Sequence, residues 1–509
     1  EKIVSYSQRM AVIGMISGAF ALRFEDEAAA LGNLDEHLGL LLLRLDQAGL
    51  EKSDKWLVQQ YRTALARDGL IDLSDVLLRY VELLCKGVIA PYRATHIHVD
   101  EFQDTDAVQL EWLFAHIRNG ATATIVGDDD QSLYSWRKGL GYAGFRRFVE
   151  ETSAEQIVLD TNFRSKSEIV ERAGQLIANN TSRIAKTFTA SRGPGADISL
   201  LVVKDSDEEA DLAARAAQMP GGVAILARNN DSLREVERTL LEREIEFTRL
   251  GRSAIASDEL NALLVLLDSI VRGTSIRTID WLSVFIACGA PAALCAGFTG
   301  TTSIMSMHQM PNTARLALQN LAVLVAEQRE NPRSTNPDEL LAVIGLAVQE
   351  AMERVHSATH RQQRLARATR EVNRSLRFLS RLTGPLDDRI RYVRRQLVTN
   401  QEEDAPASQT SVGTIHGAKG LEWGTVLLLG IEDGVLPAST GVTNLAEERR
   451  IFFVGMTRAR DRLIVCFRRG FMSPFVREAF PEAAEQADAG IGEYVVCGTP
   501  MFEEIREAA

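Results

Sequence analysis

Three short apolar runs, each followed at once by a loop of polar and charged residues, constrain this chain more than any other feature. The runs lie at 95–99, 122–126 and 156–159. The loops after them read Asp100-Glu101-Phe102-Gln103-Asp104, Gly127-Asp128-Asp129-Asp130-Gln131 and Asp160-Thr161-Asn162-Phe163-Arg164-Ser165. Between the first two runs, residues 108–117 carry Leu110, Leu113, Phe114 and Ile117 at helical spacing. Strand and helix in alternation, with polar loops after each strand, predict a parallel α/β sheet whose site lies along one edge. The first run, with Ile97 and Val99, reads as a buried strand that delivers Asp100 and Glu101 to its C-terminal edge, where ligands bind in open α/β sheets.

The 509 residues suffice for three or four structural domains, and 45% hydrophobic with 25% charged residues is ordinary for a soluble globular protein. A net charge of -12 argues against a surface coated in basic charge, although a local basic groove stays compatible with it. Five cysteines with no C-x-x-C pair indicate neither a zinc site nor a redox motif and fit reduced thiols. Residues 10–22 are largely apolar and end near Ala19-Phe20-Ala21, the outline of a signal peptide or of a buried helix, but too short to span a bilayer. The expected location is cytoplasmic, with no membrane partner. The chain opens on Glu1 rather than Met, so its natural N-terminus is expected upstream.

In chain order, residues 1–90 read as mostly helical, with Asp72-Leu73-Ser74-Asp75 capping a helix over 76–85. The first α/β unit occupies 91–190. A Gly/Pro break at 191–196 opens a second one, with strands at 198–203, 223–226 and 247–250, which resumes at 409–475 with strands at 425–429 and 463–467. The helical block 271–408, the end of an all-helical stretch from 255, is inserted into this second unit. Residues 476–509 form a C-terminal extension, a cap or the start of a further segment. Residues 350–400 hold twelve Arg against five acids. At 100° per residue Leu365, Val372, Leu376 and Leu379 share one face, and Arg367, Arg370, Arg374, Arg377 and Arg381 the other. Such a stripe is either a solvated helix face or a contact for duplex DNA or a partner. Residues 401–408 are an acidic linker.

Several loops carry residues suited to phosphate chemistry. Asp100 can hold Mg²⁺, which prefers oxygen ligands and shares them with phosphate. Glu101 can orient an attacking water, and Gln131 can hydrogen-bond a phosphate or that water. Trp136 beside Arg137 offers a stacking face next to a cation, which suits single-stranded bases, or packs in a core. Arg164 and Arg458 are each a surface ion pair or a cation brought to a phosphoryl group. Thr414, His416 and Lys419 stand near glycines where backbone phosphates can bind.

The segments DEFQDT (100–105), GDDDQSLYSWR (127–137), TNFRS (161–165), TIHGAKGLEW (414–423) and EERRIFFVGMTRAR (447–460) occur in the order and spacing of superfamily 1 DNA helicases of the UvrD/Rep/PcrA type, which this sequence resembles from about 61 to 468. The resemblance implies two RecA-like parallel-sheet lobes of the P-loop NTPase type with helical insertion subdomains, 1–90 being the remainder of a first-lobe insertion. It also implies ATP and Mg²⁺ as cofactors and single-stranded DNA and duplex junctions as partners. The implied activity is 3′-to-5′ unwinding in DNA repair, replication or recombination. By motif, Asp100 binds Mg²⁺, Glu101 activates water, Gln131 senses the γ-phosphate, and Arg164 and Arg458 are arginine fingers. Glu422 meets the ribose, Tyr134 and Trp136 stack bases, and Thr414 and His416 sit near the DNA backbone. The sequence departs from the pattern at Phe163, Lys138 and Trp423, where Tyr, Gly and Phe are usual. It contains no Gly-Lys pair, so the family's phosphate-cradling G-x-x-x-x-G-K-[ST] turn is expected upstream of residue 1. The alternative is a non-hydrolysing module that binds DNA or a partner without a P-loop.

Overall fold

In the computed structural model the chain forms two units. One comprises 1–163, 170–191 and 440–454, the other 164–169, 192–439 and 455–509. The structure describes residues 50–67, 69–133, 139–251, 253–290, 298–331, 336–358, 362–398, 410–438, 444–487 and 492–501, with scattered positions among 2–44 and positions 295, 490 and 505. Most of 10–22, the 401–408 linker, Lys138 and the stacking candidates Tyr134 and Trp136 lie outside the described residues. Among the described residues no helix is long and apolar enough to cross a membrane.

In the first unit a two-residue strand at Lys2–Ile3 pairs in parallel with Leu70–Ile71, on either side of α1 (Lys52–Arg67), and α2 (Leu73–Cys85) follows, capped by the Asp72 carboxylate on the Ser74 amide. Strand β1 (His96–Val99) follows, then α3 (Ala107–Arg118) and β2 (Thr122–Ile125), which pairs with β1 in parallel, Val99 opposite Ile125. β1 is not the buried strand expected. Ile97 and Val99 pack with Ala123 and Ile125 on Phe102, Leu110, Leu113 and Phe114, whereas His96 and His98 on the other face are exposed. The cause is in the sequence: His and Ile/Val alternate at period two, so one face is polar. Helix α4 (Tyr142–Thr152) adds Phe148 to this core.

The strand expected at 156–159 does not form either. Ile157 is 76% and Leu159 83% exposed, and the chain becomes a strand only at β3 (Thr161–Asn162). An apolar run becomes a strand only where a sheet edge accepts its backbone, and among the described residues none pairs with it. After α5 (Ser167–Ile177), β4 (Thr189–Ala190) pairs with β3 in parallel.

The second unit holds the large sheet. Strand β5 (Asp197–Val203) leads through α6 (Ser206–Ala216) to β6 (Val223–Ala227), then through α7 (Asn230–Glu242) to β7 (Thr248–Leu250). Among the described residues six α-helices follow: α8 (Asp258–Arg272), α9 (Thr278–Ala287), α10 (Asn312–Glu330), α11 (Pro337–Ala358), α12 (Gln362–Arg381) and α13 (Leu386–Val398). They bury a common core that includes Leu267, Phe285, Leu318, Val348, Val372, Phe378 and Ile390, and it takes in Ile255 and the apolar residues of α8 from Leu260 to Ile270. Val372 and Leu379 of α12 are buried there, while Arg367, Arg370, Arg377 and Arg381 are exposed. A buried Arg238–Glu371 ion pair joins α12 to α7.

The chain then returns as β8 (Ser411–Thr414) and β9 (Trp423–Leu429), runs through α14 (Leu445–Met456) and re-enters the sheet as β10 (Ala459–Arg468). Helices α15 (Pro474–Ala479) and α16 (Pro481–Ala487) lead to β11 (Gly492–Cys497). The strand order is β11-β5-β10-β9-β6-β8-β7. All neighbours are parallel except β11, which runs antiparallel on β5. Residues 492–497 of the expected extension are thus a strand of this sheet. Near-continuous apolar runs in β5, β6, β9 and β10 match strands covered on both faces.

Beside the ends of β9 and β10 lies a buried carboxyl, Glu209 of α6, which accepts a hydrogen bond from the Gly430 amide at 2.9 Å. Burial pushes it up to about 7, against the pull of the Gly430 bond, and the nearby Glu432 carboxylate pushes the same way. The native state therefore holds this proton where the unfolded chain has lost it, and stability falls as pH rises from about 4.5 through 7. Glu209→Gln removes the ionisation and keeps the acceptor. Urea titrations from pH 5 to 8 should show the variant gaining on the wild type by ~3 kcal/mol at most, and parallel pH curves would refute the assignment.

Candidate functional site

In the first unit the chain leaves β1 into an acidic turn that the neighbouring loop braces. Asp100 and Glu101 are both exposed, and the Asp100 carboxylate accepts the Glu101 amide at 2.8 Å. Glu101 has φ 50° and ψ 39°, the left-handed region, which costs a non-glycine residue of order 1 kcal/mol and persists only where its surroundings hold it. The buried Gln103 is that holder. Its amide N–H donates to the Glu101 carboxylate, and its Oε1 accepts the Asp128 amide at 3.0 Å. Gln103 thus ties the turn after β1 to the turn after β2. The approach demands a glycine at 127, where an added Cβ would stand 2.3 Å from Gln103 Oε1 and 2.9 Å from the Phe102 nitrogen.

Gln131 closes a short 3₁₀ turn (Asp129–Gln131), and its side-chain amide donates to Asp128 Oδ2 at 2.8 Å. The three aspartates before it meet two cations from the segment between α5 and β4. Arg183 Nε donates to Asp130 Oδ1 at 2.9 Å, and the Lys186 ammonium binds Asp128, Asp129 at 2.8 Å and Asp130 at 3.2 Å. The carboxylates of Asp128, Asp129 and Asp130 lie close enough together to hold a metal ion, but the ammonium already lies among them. Burial pushes the Asp128 carboxyl up, but the Lys186 charge together with the hydrogen bonds from Lys186, Gln131 and the Asp130 amide leaves it below the usual carboxylate range. Arg183, Lys186 and Gln103 were given no role by the sequence reading. Three consecutive aspartates at a strand end were the available signal, since carboxylates that leave water need cations.

In the second unit three distant stretches converge. Arg164 Nε donates to Glu422 Oε2 at 2.6 Å across 258 residues, and its Nη1 lies 3.4 Å from the Thr457 carbonyl. The hydrogen bond from Arg164 holds the Glu422 carboxyl below its ordinary value. Arg458 is buried, donating from Nη1 to the Leu421 carbonyl at 3.2 Å and from Nη2 to Thr457 Oγ1 at 3.3 Å. Ser165 and Lys166 bind the carbonyls of Ala459 and Arg460, which fixes Arg164 beside the start of β10.

Glu422 precedes β9 and Arg458 precedes β10, so this cluster occupies the N-terminal edge of the sheet. Thr414 ends β8, His416 follows, and the Thr414 hydroxyl accepts the Gly417 amide at 3.2 Å. The candidate residues of this unit thus lie at both edges of its sheet.

The UvrD-like helicase C-terminal domain model matches residues 157–470, and the UvrD/REP helicase N-terminal domain model matches 26–141. The chain belongs to the UvrD-like helicase family. It is 28% identical over 459 residues to DNA helicase II of Haemophilus influenzae, covering 80% of this chain and 60% of that protein. Against DNA helicase II of Escherichia coli the identity is 28% over 467 residues, with coverages of 82% and 62%. Against the ATP-dependent DNA helicase PcrA of Bacillus subtilis it is 25% over 445 residues, with coverages of 79% and 59%. The chain thus spans about three-fifths of the length of these relatives.

Gly127→Ala tests the bracing of the acidic turn. Its methyl has to displace Gln103 or the backbone at Phe102, so urea denaturation should show a loss of about 1–3 kcal/mol. Wild-type stability would mean that the two turns are not in the contact described.

Proposed function

We propose that the chain works in an ATP-dependent DNA helicase, which hydrolyses ATP to step 3′ to 5′ along single-stranded DNA and opens the duplex at a junction. The observation that carries this reading is the meeting of Arg164, Glu422 and Arg458, from three separate motifs, in one cluster beside β9 and β10. Two arginines and a carboxylate at one place suit the charged phosphates and the ribose of a nucleotide. Family membership and the names of the relatives support the same reading.

In this reading 91–190 belong to a first RecA-like lobe and 191–270 with 409–475 to a second. Residues 271–408 are an inserted subdomain, 1–90 the remainder of a first-lobe insertion and 476–509 a C-terminal extension. The exposed oxygens of Asp100 fit Mg²⁺, an ion that keeps most of its waters and takes one or two carboxylates from a protein. Bound Mg²⁺ and ATP would supply the electrophilic phosphoryl group. Glu101 accepts the proton of the attacking water, with its carboxylate aimed by Gln103. Gln131 hydrogen-bonds the γ-phosphate, and Arg164 and Arg458 neutralise charge that develops on it. Glu422 exchanges its bond to Arg164 for the ribose hydroxyls. Thr414 and His416 face the DNA backbone from the opposite sheet edge, and Tyr134 and Trp136 stack its bases.

In the natural polypeptide that carries this chain, Glu101→Gln should cut ATP turnover by roughly 10²–10⁴-fold while single-stranded DNA binding persists, as read by a coupled phosphate-release assay and fluorescence anisotropy. Undiminished turnover would refute the assignment.

A further inference from the structure

The charges around Gln131 do not sum to a surface feature. Asp129 and Asp130 are fully buried, and the side chains of Lys186 and Arg183 are 9% and 12% exposed. A largely buried lattice of three carboxylates, with Asp128 at its half-buried rim, and two cations is costly to assemble and yields little net stability beside an apolar core of the same volume. What it does yield is a fixed geometry, because each oxygen is claimed by a particular donor. The Ile184 amide takes the second oxygen of Asp129 at 2.7 Å, and Arg183 grips both oxygens of Asp130. On Asp128 the arrangement is directional: Oδ1 binds the Lys186 ammonium and accepts the Asp130 amide at 3.1 Å, and Oδ2 accepts the Gln131 amide.

The cations are themselves held from behind. Asn180 donates to the Ala446 carbonyl at 2.9 Å and accepts from Arg449 at 2.6 Å, both on α14. Phe188 lies against Phe453 of the same helix, with ring centroids 5.8 Å apart, and the Arg183 guanidinium stands 5.8 Å from the Phe188 ring. The segment carrying Arg183 and Lys186 is therefore anchored on both sides of the two cations.

We propose that Lys186 is a positioning residue for Gln131: by fixing one oxygen of Asp128, it aims the other, and through it the Gln131 amide, at the terminal phosphate of the nucleotide. This rests on the helicase reading above, which gives Gln131 its phosphate. Lys186 itself touches no substrate. Asp128 transmits its effect as a second-layer carboxylate orients a ligand-binding side chain, where a displacement of an ångström is enough to cost rate.

The test uses the natural polypeptide and ATP with saturating single-stranded DNA, and compares wild type with K186M, K186R, Q131A and K186M/Q131A. The inference expects K186M to lower kcat by about 10- to 100-fold with little change in KM. K186R, which keeps the cation, should recover part of that loss. The double variant should be no slower than Q131A, because the lysine acts only through the glutamine. If K186M does not fold, D128N reads the same link, since it keeps the size of the side chain and removes the charge that Lys186 binds. Losses that multiply in the double variant, a rise in KM with kcat kept, or a kcat equal to wild type overturn the inference while leaving the helicase reading intact. A wild type that does not hydrolyse ATP overturns both.

Discussion

Parallel pairing of β6 with β8 on one side and β9 on the other is the constraint on which the second unit rests. Parallel strands must all point the same way, so each connection has to return along the sheet, most often as a helix, although β8 reaches β9 through the turn-containing loop 415–422. That requirement accounts for α6 and α7, and it leaves the whole helical block of α8–α13 as one long crossover between β7 and β8. It also sorts the chemistry. Residues that precede strands gather at one edge and residues that follow them at the other. Thr414 is level with Leu429, both paired to Ala227, and Glu422 lies seven residues before Leu429. At about 3.3 Å per residue that separates the two candidate groups by roughly 20 Å.

The first unit solves a different problem. Its two-stranded sheet of β1 and β2 is small, so its functional turns are braced by side chains rather than by flanking strands. Gln103 serves two turns with one amide group, and Asp128 does the same with its two oxygens. Such shared partners save groups but couple positions: a change at Gly127 or Lys186 is felt at Glu101 or Gln131.

Much of this was legible in the sequence. Apolar runs in the second unit stand where strands were expected, because strands buried on both faces need uninterrupted hydrophobic stretches. The arginine and leucine faces of α12 followed from helical periodicity alone. The misreadings have equally physical causes. At 96–99 the alternation of His with Ile and Val outweighed the apolar content, and β1 is half-buried. At 156–159 the residues have strand propensity, but a strand is a relation between two segments, and propensity is a property of one. The motif residues announced themselves by type and order. Lys186, Arg183 and Gln103 did not, because their importance lies in whom they touch, 58, 53 and 25 residues away in the chain.

The two outer strands of the large sheet have one more consequence. An open sheet ends in rows of unpaired amides and carbonyls that invite another chain to add a strand. Here one border is β7, only three residues long, with Arg249 turned to Glu237 and to the Gln396 carbonyl. The other is β11, laid against the direction of its neighbour, where Glu493 draws in the Ser199 hydroxyl and the Met501 amide. A brief border and a reversed, charged one are poor templates for self-association. Both borders therefore offer a further strand little free backbone in the direction of the sheet they close.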